Sequence, residues 1–208
     1  MHRPVYFARL PCPDPRDRRA SASSTPPTAC SRSRGFRPVS MDEIAAAARL
    51  TKRTLYHPFR SKDDLLADVL RAQDELAVQA FRTFGDKLSG SAEAIVEGLF
   101  RDLAVWADRP HFLGSGFTRL VIELADMPGH PARAIARRHK AKLESLLAGM
   151  LADTGVARPR DLARAVWLLS EGAISLILVH GDRGYAAAAA QAAMTLVRHH
   201  TTPTAYRQ

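Results

Sequence analysis

The sequence is poor in cysteine. It has two, Cys12 and Cys30, both within the first 34 of its 208 residues. A cysteine-free remainder fits a reducing cytosol and argues against a disulfide scaffold or a cysteine-based zinc site. Strand signals are also scarce: no stretch alternates apolar and polar residues for long, and no internal repeat is evident. There is no Gly-rich phosphate loop, no nucleophile elbow and no convincing carboxylate pair, and the GSG at Gly114 to Gly116 is too short a pattern to count. An enzyme is therefore not expected, and neither is a cofactor or a resident metal. The longest strongly apolar run, residues 165–179, is broken by Glu171 and falls short of the roughly 20 residues a bilayer span needs, so it reads as a buried helix and not as a membrane partner. The opening MHRPVYFARL lacks a long apolar core and a small-residue cleavage site, which predicts a cytoplasmic location.

What is present is enough apolar material for a core, 46% of the chain, and a net charge of +9. The charge is uneven. Seven arginines against Asp14 and Asp17 give the first 34 residues +5 and leave +4 for the remainder, so the basic excess alone is weak support for a polyanion partner. From Ser40 onward the apolar spacing is helical almost throughout, and the fold class is all-α. Ser40 caps a helix through Ala48, Thr51 caps a short one closed by Pro58, and Ser61 caps a long one running to about Phe84. GDKLSGS reads as a loop. Further helices are expected over residues 91–109, over 111–126 with an irregularity around Gly114 and Gly116, from Pro131 to Gly155, from Pro159 to Val179, and over 185–199.

Two short helices joined by a tight turn and followed by a long one describe a helix-turn-helix reader of DNA. In MDEIAAAARLTKRTLYHPF, Ala45 and Ala48 leave room for a crossing helix. Leu55 and Phe59 hold the second helix to a core, while Thr51, Lys52, Arg53, Thr54, Tyr56 and His57 supply polar reach. The acid-Ile-Ala opening, the TLY, Phe59 and the SKDDLL start of the next helix together resemble the TetR family of bacterial transcriptional regulators. ELADMPGHPARAIARRHK and LLSEGAISLILVHGD look like the ligand-binding and dimerisation region of one branch of that family. The resemblance implies a helix-turn-helix domain over residues 35–84 and a helical effector-binding and dimerisation domain over 85–200, with tails at 1–34 and 201–208. It implies that Thr51, Lys52, Thr54, Tyr56 and His57 face double-stranded DNA. Tyr56 and Lys62 would then hold phosphates, and Lys52, Arg53 and His57 would read bases; Ser40, at a helix N-terminus, is placed for another phosphate. The implied function is a ligand-responsive repressor acting as a homodimer on an inverted-repeat operator, with a small-molecule effector. The nearly all-round apolar 165–179 run, with Gly172 and Ala173, suits an interface formed by the last two helices.

Three positions depart from the family pattern: Arg49 stands where the turn usually has glycine, Arg53 replaces a small residue, and Pro58 shortens the recognition helix. A fourth departure is larger. Family members place an amphipathic helix before the Gly-Phe pair, and this chain has TPPTACSRSRGF there. Read one nucleotide earlier, permitted codons for that stretch give DAAYSLFAESGF, an amphipathic helix ending in glycine. The expectation is a frame slip near Gly35. Its consequence is an alternative function, a dimeric small-molecule-binding protein with impaired DNA binding. Candidate ligand contacts are Phe100, Trp106, Phe117, Glu123, His139, Trp167 and Glu171, although plain core accounts for most of the aromatics and an Arg119 pair for Glu123. Glu171 shows no local partner.

Overall fold

The computed structural model describes residues 35–201 apart from Arg49, Ser89 and His111. Of the stretch read as out of frame, residues 25–34 lie outside the described residues, as do both cysteines and residues 202–208 of the C-terminal tail. Among those described, all regular structure is helical: α1 (Met41–Ala48), α2 (Lys52–Tyr56), α3 (Lys62–Lys87), α4 (Ala92–Ala107), α5 (Gly116–Glu123), α6 (Pro131–Ala152), α7 (Pro159–His180) and α8 (Gly184–Thr201).

Local chemistry accounts for most of the starts. Thr51, Ser61, Ser91 and Ser115 each accept from the backbone N–H three residues on, at 3.0 to 3.4 Å, satisfying one orphan donor of the first turn. Two boundaries differ from expectation. Gly85 and the two residues after it belong to α3, because this glycine serves packing rather than termination: a Cβ there would sit 3.1 Å from the Met150 sulfur. The break falls after Lys87. The helix expected over 111–126 is confined to Gly116–Glu123, since Gly114 adopts φ +66° and lies so close to α7 that a Cβ would meet Leu178 at 2.6 Å.

The described chain forms two compact units. One contains Ala77–Gly114 and the chain from Lys140 onward; the other contains the helix-turn-helix region up to Leu76 together with Ser115–His139. In the first unit, Phe81, Leu99, Leu103, Leu147, Leu151 and Val166 are essentially fully buried, and α8 packs on α4 and α7. The 22-residue α7 is long and apolar enough to cross a membrane, yet it carries a buried face of Leu162, Val166, Trp167, Ile174 and Ile177. In the second unit, Val39, Met41, Ile44, Ala45, Leu55, Leu65 and Val69 form the core beneath α1 and α2. Phe36, Leu70, Phe117, Leu120, Leu124 and Ile135 form a second cluster beside it.

Candidate nucleic-acid interface

The candidate recognition element, α2, is only five residues long, and Leu55 is its one buried side chain. Lys52, Arg53, Thr54, Tyr56 and His57 are all exposed. Thr51 caps the helix, and its hydroxyl lies 2.7 Å from that of Thr54, so these two side chains first stabilise the helix start. The turn before α2 is tied by Leu50 N–H donating to the Ala45 carbonyl at 2.9 Å; Arg49 itself lies outside the described residues. The helix closes at His57, whose N–H donates to the Arg53 carbonyl, one residue before Pro58.

Two predicted phosphate contacts are occupied within the protein. Ser40 forms a capping box: its N–H and hydroxyl both donate to Glu43 Oε2, at 2.7 and 2.9 Å, and the Glu43 N–H returns to Ser40 Oγ at 3.2 Å. The anion at this helix N-terminus is therefore the protein's own carboxylate. Lys62 turns inward, and its ammonium donates to the carbonyls of Phe36, Arg37 and Val39 at 3.2, 3.0 and 3.2 Å. That uses all three of its protons. It also lies 4.5 Å from the centre of the Phe36 ring.

The segment that Lys62 grips is held from its other side by Glu123, the last residue of α5. Phe36 N–H donates to Oε2 at 3.0 Å and Arg37 N–H to Oε1 at 2.6 Å. Arg37 in turn pairs with Asp126, holding that carboxyl below its usual range through the hydrogen bond. Glu123 is thus a clamp on the entry to the helix-turn-helix. Sequence offered one clue to this: an acid at a helix C-terminus opposes the helix dipole and needs a reason to be there. Gly35 completes the arrangement, with φ +86° and a virtual Cβ only 3.0 Å from the Glu123 carboxylate. Gly35→Ala is expected to cost about 1 to 2 kcal/mol in urea denaturation, from the left-handed backbone and the displaced carboxylate.

The other candidate ligand residues separate. Phe100, Trp106 and Trp167 are buried in the core of one unit, with Trp106 edge-on to Phe112 at 4.8 Å and Trp167 edge-on to Phe81 at 6.3 Å. Phe117 and His139 belong to the other unit, stacked at 3.8 Å, and His139 Nδ1 lies 2.8 Å from Asp74 on α3. Buried His130 makes a similar tie, with Nδ1 accepting from Ala132 N–H and Nε2 facing Asp63 at 3.3 Å. Glu171 does have a partner: it pairs with Lys140, 31 residues earlier on α6, whose ammonium lies over the Trp167 ring. Burial lowers the Lys140 pKa despite the attraction of Glu171. Two surface hollows of about 510 and 330 Å³ are lined by other residues, the larger by Glu144, Pro159 and Arg164 among others, the smaller by Phe81, Arg82, Met150 and Asp153 among others. No group of three metal-ligating side chains occurs among the described residues.

The family model for bacterial regulatory proteins of the tetR family matches residues 29–69, the stretch that contains α1, α2 and the start of α3. That segment is similar to the TetR family of regulators. Solved TetR-family structures share its fold along most of its length. A TetR-family transcriptional regulator of Streptomyces coelicolor superposes with a TM-score of 0.76 over 95% of this chain and 100% of that one, at 22% identity. Escherichia coli NemR in its reduced form gives 0.70 at 18% identity, covering 86% of this chain and 95% of that one. Bacillus subtilis FadR, solved with stearoyl-CoA, gives 0.60 at 11% identity, covering 82% and 92%. No curated protein matches the chain. The matched segment is the helix-turn-helix region, and α2 lies within it.

Proposed function

We propose that this protein is a TetR-family homodimeric, ligand-responsive repressor that binds an inverted-repeat operator. The observation that carries the reading is α2, which offers Lys52, Arg53, Tyr56 and His57 to solvent around a single buried anchor, Leu55. Two such helices entering successive major grooves about 34 to 36 Å apart would read two half-sites. The second copy is supported by α7, where Leu168, Gly172, Ser175, Leu176 and Val179 are exposed at the spacing of one helical face. On α8 the small residues Ala187, Ala188 and Ala192 are exposed beside Gln191, which permits close approach of a partner helix.

An effector in the helical C-terminal region would act through the clamp. Glu123 and Asp126 hold the backbone and side chain at residues 36 and 37, and those residues lead directly into α1. A ligand that prefers a displaced α5 would therefore disfavour the DNA-binding arrangement, and coupling of about 1 to 3 kcal/mol changes operator affinity 5- to 150-fold. The stearoyl-CoA held by FadR supports a small-molecule effector for this fold.

Titration of the purified chain against inverted-repeat duplexes at several salt concentrations tests the reading. Arg53→Ala should weaken operator binding by about 1 to 3 kcal/mol and relax base preference. Dimerisation and ligand binding without any salt-dependent DNA binding would instead favour a protein that has lost DNA recognition.

A further inference from the structure

Lys52 opens α2 and Asp42 lies in the first turn of α1, and the two meet with Nζ 2.6 Å from Oδ2. Both side chains are more than half exposed, 68% and 52%, so the pair stands at the surface beside the recognition helix. The hydrogen bond and charge of Asp42 raise the Lys52 pKa, and the lysine stays fully charged. Among the described residues no carboxylate lies within ion-pair distance of Arg53. The face therefore presents one neutralised cation and one unneutralised cation, side by side.

We propose that Asp42 is a specificity-determining residue, a built-in competitor that occupies Lys52 so that bare phosphate backbone gains little from it. The inference rests on the DNA-binding reading above. An exposed ion pair is weak and exchanges readily, so Lys52 can leave Asp42 when a better acceptor is offered. On DNA of arbitrary sequence the exchange gives one phosphate contact and leaves the Asp42 carboxylate facing a polyanion. On an operator, the Lys52 ammonium meets the O6 and N7 acceptors of a guanine edge, which compensate for the lost partner. Asp42 thus lowers affinity for all DNA but lowers it most where no base contact is available.

The test compares full-length wild type, Asp42→Asn, Asp42→Glu, Lys52→Gln and the Asp42→Asn/Lys52→Gln double variant. The probes are a 30-base-pair random-sequence duplex and a duplex selected by the wild type from a randomised pool. Asp42→Asn should raise affinity for the random duplex roughly three- to tenfold and steepen its log–log salt slope by about 0.9 per protomer. Its gain on the selected duplex should be smaller. Asp42→Glu should behave as wild type, and the double variant should lose the gain. Equal affinity of wild type and Asp42→Asn, or a gain that survives Lys52→Gln, overturns the proposal while leaving DNA binding intact. Absence of salt-dependent binding by the wild type to either duplex overturns the DNA-binding reading as well.

Discussion

Lys62→Met is expected to lower unfolding free energy by about 2 to 4 kcal/mol, measured by urea denaturation of the full chain. The substitution keeps the aliphatic stem and removes the ammonium that serves the carbonyls of Phe36, Arg37 and Val39. The acceptors at Phe36 and Val39 are partly shielded from water, so losing a charged donor leaves them undersatisfied, and the cation over the Phe36 ring disappears with it. The effect should concentrate in the helix-turn-helix region, visible as faster amide exchange in α1 and α2 than in α4 or α7. A residue that only touched phosphate would give the opposite pattern: unchanged stability and a flatter salt slope. Equal urea midpoints for parent and variant would therefore return Lys62 to the DNA surface.

Leu168→Glu combined with Val179→Glu is expected to convert a dimer into monomers at micromolar concentration. Both positions are exposed, at 73% and 74%, so the protomer itself loses no packing. In a dimer seam formed by α7, four carboxylates would be brought into an apolar contact without partners, a cost of several kcal/mol. Sedimentation velocity reads the assembly directly. Affinity for an inverted repeat should fall at least about 100-fold, because two tethered recognition helices bind with far higher avidity than one. A double variant that still sediments as a dimer would move the interface elsewhere.

The parts of this architecture that were legible in sequence are those set by near neighbours. Ser61, Ser91 and Thr51 announce helices because the group each one caps is three residues away, and the alternation of Leu55 and Phe59 with polar residues marks the anchored side of α2. The clamp made by Glu123 is hidden in the sequence for the converse reason. Its partners at Phe36 and Arg37 lie 87 and 86 residues distant, and they are backbone amides, which carry no residue signature. Lys62 shows the same limit: an exposed basic residue and a lysine folded onto three carbonyls look alike in sequence. Glu171 and Lys140 are 31 residues apart on separate helices, a separation that helical periodicity does not report. Gly85 reads as a helix stop in sequence because the close approach of Met150, which explains it, is a tertiary contact.

The discontinuous composition of the helix-turn-helix unit sets an order of events during synthesis. Its helices α1 and α2 are made first, but Phe117, Glu123 and His139, which complete the same unit, follow only after about 60 or more further residues. At about 5 to 20 residues per second, the nascent DNA-reading segment waits several seconds before its clamp exists. Holdase protection of that interval, or its shortening by faster translation between codons 77 and 139, should govern how much of the newly made protein reaches the native state.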